Sequence, residues 1–194
     1  MTNIYVIDTE TSTTQWFDGE PNGHIVEIGI AKVNTRMQTV IPYFQATILD
    51  SDADPDAWVF RNTDLTYEDV QNGTNPDVIA RFLGDRLDGC EVTSYNIAFD
   101  HKMIDRDMPF INDKVRWGQD LMIQAAKIPE IPRKHAGSDA WPKAEDSYNH
   151  LCPSDPCGLG GHEKHRAMAD AVMEGHILLE LFLKGLYMPM EGRI

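Results

Sequence analysis

Residues 3–10 read NIYVIDTE, from Asn3 to Glu10. The run 3–7 is apolar, too short for a helix and rich in β-branched and aromatic side chains, which predicts a buried strand. Asp8 then falls at the C-terminal end of that strand. Side chains alternate faces along an extended chain, so Glu10 points to the same side as Asp8 if the extended conformation continues. Outward from this strand, residues 24–33 and 39–49 carry β-rich patterns separated by the polar Asn34, Thr35 and Arg36, and are expected to be its antiparallel neighbours, with Pro42 at an edge or bulge. Segments 63–70 and 76–87 have helical spacing. In the second, Val78, Phe82 and Leu83 are expected to face inward and Gly89 to act as the stop. Residues 90–94 return to strand, 99–106 read as a helix with Pro109 just beyond it, and 114–118 as a further strand. The Pro- and Gly-rich stretch 128–161 predicts loop broken by a short helix over 144–151. A long helix is expected over 165–183, with Met168, Val172, Ile177, Leu178 and Leu181 on its buried face. This order predicts an α/β fold: one domain over 1–194, a mixed central sheet with helices on both faces, and an excursion at 128–161.

The chain has 194 residues, of which 42% are hydrophobic, enough for one sizeable core. It shows no apolar run long enough to span a bilayer and no basic, cleavable leader in MTNIYVID, so a cytoplasmic protein is expected. Three irregularly spaced cysteines do not form a disulfide framework and suit a reducing compartment. The formal net charge of −14 speaks against the broad basic surface that usually holds nucleic acid. Cations bound by clustered carboxylates would reverse that sign locally, so weak, local substrate binding is expected, helped by a polymerase or other protein partner.

Three short stretches carry the chemistry: Asp8-Thr9-Glu10, Asn96-Ile97-Ala98-Phe99-Asp100, and His165-Arg166-Ala167-Met168-Ala169-Asp170. With 31 acidic residues in the chain, each alone is weak; together, each at the edge of an expected element, they point to a two-metal nuclease. Asp100 and Asp170 fall in the first turns of helices, where the macrodipole favours negative charge. Asp8, Glu10, Asp100 and Asp170 offer the hard oxygen ligands that suit two Mg²⁺ or Mn²⁺ ions. Deprotonating an attacking water calls for a base of the imidazole type beside the metals, and His165 is the candidate general base. Placed ahead of the helix, it is expected on a more mobile segment that closes over substrate.

These residues resemble the three motifs of the DEDDh superfamily of 3′-to-5′ exonucleases, whose members include the proofreading subunit of a bacterial replicative polymerase, RNase T and oligoribonuclease. The resemblance covers nearly the whole chain: Asp8 and Glu10 match the first motif, Asn96 to Asp100 the second, and His165, Ala167 and Asp170 the third. It implies an RNase H-like fold, two divalent ions and release of nucleoside 5′-monophosphates from single-stranded DNA or RNA 3′ ends. It also implies that residues just after the first acid pair hold the terminal nucleotide, where Thr11 and Ser12 fall. Thr9, Asn96 and Phe99, inside the motifs, are further candidate substrate contacts. The commonest family form has a glycine soon after the first-motif threonines, whereas here Ser12, Thr13 and Thr14 run on to Gln15 and Trp16. Trp16 and Phe17 are candidates for stacking on a terminal base or for ordinary packing.

Other residues have plainer readings. Glu27, inside an apolar strand, is expected to be a hydrogen-bonded structural carboxylate, Asp105 a solvated helix residue and Tyr95 a core residue. His150, Cys152, Cys157 and His162 invite a zinc reading, but their spacing matches no zinc pattern. His101, His135 and His176 have no constellation. The alternatives to a nuclease of DNA or RNA are a catalytically silent nucleic-acid- or polymerase-binding module of the same fold, and an exonuclease restricted to short oligonucleotides.

Overall fold

The first strand outruns its apolar stretch: β1 spans Asn3–Thr11, carrying Asp8 and Glu10 within the strand rather than beyond it. A computed structural model of the chain describes residues 3–13, 16–17, 20–21, 23–133, 141–160 and 164–190. β1 pairs antiparallel with β4 (Ile25–Asn34), which pairs antiparallel with β5 (Thr39–Thr47). On its other side β1 runs parallel to β6 (Glu91–Thr93), and β6 parallel to β7 (Arg116–Trp117), giving the order β5-β4-β1-β6-β7. The short strands β2 (Trp16–Phe17) and β3 (Glu20–Pro21) form a separate ribbon. The register of β4 with β5 jumps from Ile30↔Phe44 to Ala31↔Pro42, so the proline sits on the edge strand at a bulge, as its missing N–H requires.

Alternation along β1 divides the interior. Ile4 and Val6 point into a core with the long C-terminal helix α8 (Ala167–Leu183), α6 (Leu121–Ala125) and α7 (Ala144–Leu151). Tyr5 and Ile7 point the other way, toward α3 (Pro76–Arg86), α4 (Ile97–Asp107) and α5 (Pro109–Asn112). Residues 25 to 31 of β4 are buried without a break, the pattern of a strand covered on both faces. The segment 128–161 holds the expected short helix but is more than loop: Ile131, Tyr148, Leu151 and Leu159 enter the α8-side core.

Several expectations change. The helix expected over 63–70 is the shorter α2 (Tyr67–Gln71), started by a reciprocal pair in which Thr66 accepts the Asp69 N–H and the Asp69 carboxylate accepts the Thr66 N–H, and an unexpected helix, α1 (Trp58–Asn62), precedes it. In α3 the inward face is Ile79, Ala80, Leu83 and Gly84, while Val78 and Phe82 are 58% and 44% exposed. Phe82 lies instead against Phe44 of the edge strand, with Arg86 over its ring. On α8, Ile177, Leu178 and Leu181 are buried as expected, but Met168 and Val172 are only half-buried. Small residues take the close contact with the sheet: a Cβ on Gly175 would lie 2.7 Å from Val40 Cγ1. Size was the wrong guide where backbone approaches side chain.

Gly29 on β4 makes the tightest of these approaches. A Cβ there would fall 2.2 Å from the Ala167 carbonyl carbon, at the first residue of α8. Neither backbone can move without disturbing the sheet or the helix start, so Gly29→Ala is expected to lower the unfolding free energy by about 1–3 kcal/mol in a denaturant titration. An unchanged midpoint would mean that the helix start is not seated on this strand.

Candidate active site

Asp8 and Glu10 follow the parity of Ile4 and Val6 and so lie on the α8 side of the sheet. α8 brings Asp170, in its first turn, to the same place. Ligand atoms of Glu10, His165 and Asp170 all lie within 4.8 Å of one another. Asp100 arrives from the other face, in the first turn of α4, and accepts a 2.8 Å hydrogen bond from the Thr9 hydroxyl. Thr9, between the two first-motif acids, points to that face and ties Asp100 to β1.

The turn before α4 is anchored by residues that motif reading did not supply. Asn96, at the helix N-cap, has a left-handed backbone with φ 76°. The carboxylate of Asp120 accepts the Asn96 N–H at 3.4 Å and the Ile97 N–H at 2.8 Å, and also caps α6 through Met122 and Ile123. Glu174, one turn beyond Asp170 on α8, accepts the Tyr95 N–H at 3.1 Å. Asp120 lies 20 residues from Asp100, so its role was hidden from local spacing; Glu174 was detectable as the i+4 neighbour of Asp170.

His165 precedes α8 in a left-handed conformation, φ 53°, which is uncommon for any residue but glycine. Its surroundings hold this geometry. Asp170 accepts the N–H groups of Lys164 and Arg166, on either side of it, at 3.2 and 3.0 Å. The Arg166 guanidinium pairs with Glu27, and the Glu27 carboxylate also accepts the Ala167 N–H at 3.0 Å and a Gln45 amide hydrogen at 2.7 Å. Glu27 is fully buried, a hydrogen-bonded structural carboxylate as its sequence context implies. The indole of Trp58 stands edge-on to the His165 ring, 5.2 Å between centroids, and is 42% exposed.

Crowded, desolvated carboxylates hold protons. Asp8 is raised well above the usual carboxylate range by loss of water, then by the charges of Glu174, Asp100, Glu10 and Asp170. Asp100 is pushed up to about 7 by burial, against the lowering effect of the Thr9 hydroxyl. Asp170 is raised by burial, with the Lys164 and Arg166 N–H groups opposing. A divalent cation among these oxygens would relieve both the repulsion and the desolvation, so the donor set fits a hard metal ion. With folded values raised above unfolded ones, these groups add stability that is complete below about pH 4 and lost as pH rises through about 7. The metal-free protein is therefore expected to melt lower at pH 8 than at pH 6, and Mn²⁺ to raise the melting temperature more at pH 8. A metal effect independent of pH would contradict this coupling.

The remaining candidates are arranged as follows. Thr11 and Ser12 are buried; the Thr11 hydroxyl donates to the Thr13 carbonyl, and Ser12 Oγ accepts the His24 N–H. Phe99 packs partly into the α4-side core. Trp16 and Phe17 form β2, and their side chains lie outside the described residues, as do His135 and His162. Tyr95 donates its hydroxyl to the Pro142 carbonyl. Cys90, Cys152 and Cys157 are free thiols, and His150 is exposed. Among the described residues the Cys/His loop assembles no metal-ligand group, whereas Glu10, His165 and Asp170 do. Asp105 is exposed, and His101 lies against Trp117. Among the described residues no helix is long and apolar enough to cross a membrane.

Comparison with known proteins agrees with the motif reading. The exonuclease family model RNase_T matches residues 5–178. No curated protein sequence matches the chain significantly. Among solved structures, the nuclease domain of 3′hExo, a DEDDh family member bound to rAMP, superposes with a TM-score of 0.71 at 13% identity, over 99% of this chain and 97% of that one. Cell-death related nuclease 4 gives 0.66 at 12% identity, over 94% and 64%. E. coli Exonuclease I in complex with a dA16 oligonucleotide gives 0.62 at 18% identity, over 96% and 42%. The chain thus spans about two fifths of Exonuclease I and under two thirds of the cell-death nuclease. The mixed five-stranded sheet with helices on both faces is the RNase H-like fold of these exonucleases. With a match running from β1 to α8 and all three motifs meeting at one end of the sheet, the chain belongs to the RNase_T exonuclease family.

Proposed function

We propose that the protein is a metal-dependent 3′-to-5′ exonuclease that hydrolyses terminal phosphodiester bonds of single-stranded DNA or RNA and releases nucleoside 5′-monophosphates. The observation that carries this reading is the approach of Glu10, His165 and Asp170 within 4.8 Å, beside Asp8 and Asp100. Asp8, Glu10, Asp100 and Asp170 would hold two Mg²⁺ or Mn²⁺ ions. Bound there, such ions supply charge stabilisation at the scissile phosphate and activation of water. His165 accepts the proton of the attacking water at a ring nitrogen as the new P–O bond forms. The P–O3′ bond breaks, and the 3′-oxygen leaves on the shortened strand and takes up a proton. Thr9 steadies Asp100, Asn96 starts the helix that carries it, and Phe99, on the same helix, packs partly into the core beside it. Thr11, Ser12 and Trp16, just after the first acid pair, would receive the terminal nucleotide.

The rAMP bound in the 3′hExo nuclease domain, itself a nucleoside monophosphate, supports the product class, and the oligonucleotide bound to Exonuclease I supports a single-stranded substrate. The net charge of −14 favours short substrates or help from a protein partner such as a polymerase. We take residues 1–194 as one exonuclease domain, and the three free thiols support a reducing, cytoplasmic setting. The test is degradation of 5′-labelled single-stranded DNA and RNA of several lengths with Mg²⁺ or Mn²⁺. A ladder shortening from the 3′ end is expected. Metal-dependent binding without cleavage would replace this reading with that of a silent binding module.

A further inference from the structure

Glu174 is a buried carboxylate beside Asp8 for which the three motifs have no place. It is 4% exposed on α8, four residues after Asp170, so the two acids stack on one helix face. Its Oε2 accepts the Tyr95 N–H, tying α8 to the turn that launches α4 and therefore Asp100. With Asp100, Glu10 and Asp170 it is one of the carboxylates gathered around Asp8.

A backbone clip alone does not call for a charge. An amide or hydroxyl would accept the Tyr95 N–H without bringing a fifth acid into a crowded, desolvated cluster, where each added negative charge costs stability. That cost is recovered where cations sit among the acids, because attraction between a divalent ion and a nearby buried carboxylate is strong in a poorly solvated site. Affinity at hard-ion sites is set by the charge assembled around the ion and by the rigidity of the site. Glu174 contributes to both, through its charge beside Asp8 and its hold on the β6–α4 turn.

We propose that Glu174 is a positioning residue of the metal centre, a fifth carboxylate whose charge tightens divalent-cation binding while its hydrogen bond to Tyr95 sets the position of α4. The proposal rests on reading the site as a metal centre. Two substitutions separate charge from clip. Glu174→Gln keeps the shape and an acceptor for Tyr95 but removes the charge. Glu174→Asp keeps the charge but shortens the reach to Tyr95.

The experiment is calorimetric titration of the metal-free full chain with Mn²⁺, alongside its thermal melt. Glu174→Gln is expected to bind Mn²⁺ about tenfold or more weakly, and to melt higher than the parent without metal. Glu174→Asp is expected to bind within about threefold of the parent and to melt lower, for the lost hydrogen bond. Parental Mn²⁺ affinity in Glu174→Gln would overturn the proposal and leave Glu174 a backbone clip. Should Glu174→Gln not fold, Glu174→Asp decides: retained affinity supports the charge role and a tenfold loss overturns it. A parent chain that takes up no Mn²⁺ would instead remove the metal-centre reading, with or without Glu174.

Discussion

His165→Ala is expected to lower the turnover of the exonuclease reaction by about 10²- to 10⁴-fold, the usual contribution of a placed general base, while the fold persists. The backbone at this position is held from outside the side chain, by Asp170 accepting the N–H groups on both sides and by Arg166 anchored to Glu27. Loss of the imidazole therefore leaves the loop path intact. His165 lies within ligand distance of Glu10 and Asp170, a place from which an imidazole could bind a metal ion as well as receive a proton. The two roles separate in one comparison. A base that is not a ligand loses turnover with Mn²⁺ affinity nearly unchanged; a ligand loses both together. Asp8→Asn, which removes a first-motif carboxylate, is expected to lose both. Retention of parental turnover by His165→Ala would defeat the assignment of the base.

The largest effect on stability is expected from Arg166→Ala, about 3–5 kcal/mol, because it strands a fully buried carboxylate. Glu27 has no exposed surface, and the Arg166 guanidinium meets both its oxygens from Nε and Nη2, at 2.7 Å for the shortest contact. After the substitution only the Ala167 N–H and the Gln45 amide remain on Glu27 among these partners, too little to offset the burial of a charge. Pairing it with Glu27→Gln should recover much of the loss, since the stranded charge is then gone. If the double variant were no more stable than Arg166→Ala alone, the penalty would lie in lost packing rather than in the buried charge. The Arg166 contact with the exposed Asp64 adds little, because water screens that partner. The same clamp sets the path of His165, so activity should fall with stability in Arg166→Ala and return in part with the double variant.

This clamp changes the picture of the third motif. Sequence places His165 on a segment ahead of a helix and so suggests mobility. In the fold, the segment is fastened through Asp170, Glu27 and the close seat of Ala167 on Gly29, with Trp58 against the imidazole edge. A residue in a left-handed conformation needs such support, since φ 53° is disfavoured for a residue that carries a Cβ. Glu27 was legible as a structural carboxylate, whereas its partner Arg166, 139 residues away, was not.

The amino-acid sequence by itself determined the strand that carries Asp8 and Glu10, the common face of those acids, and the placement of Asp100 and Asp170 in first turns. These are consequences of backbone periodicity and of capping preference, which act within a few residues. It also determined Pro42 at an edge bulge, because a residue without an N–H has few places in a sheet. On α3 it placed Leu83 inward correctly but Val78 and Phe82 wrongly, since these are as apolar as the buried Ile79 and only the neighbouring sheet distinguishes them. Tertiary structure alone decided that Thr9 reaches Asp100 across 91 residues, that Tyr95 leans on Glu174 across 79, and that small residues rather than large ones seat α8 on β4. Such contacts depend on how close two elements come once the cores on both faces of the sheet are filled, and that distance is a property of packing that no local pattern encodes.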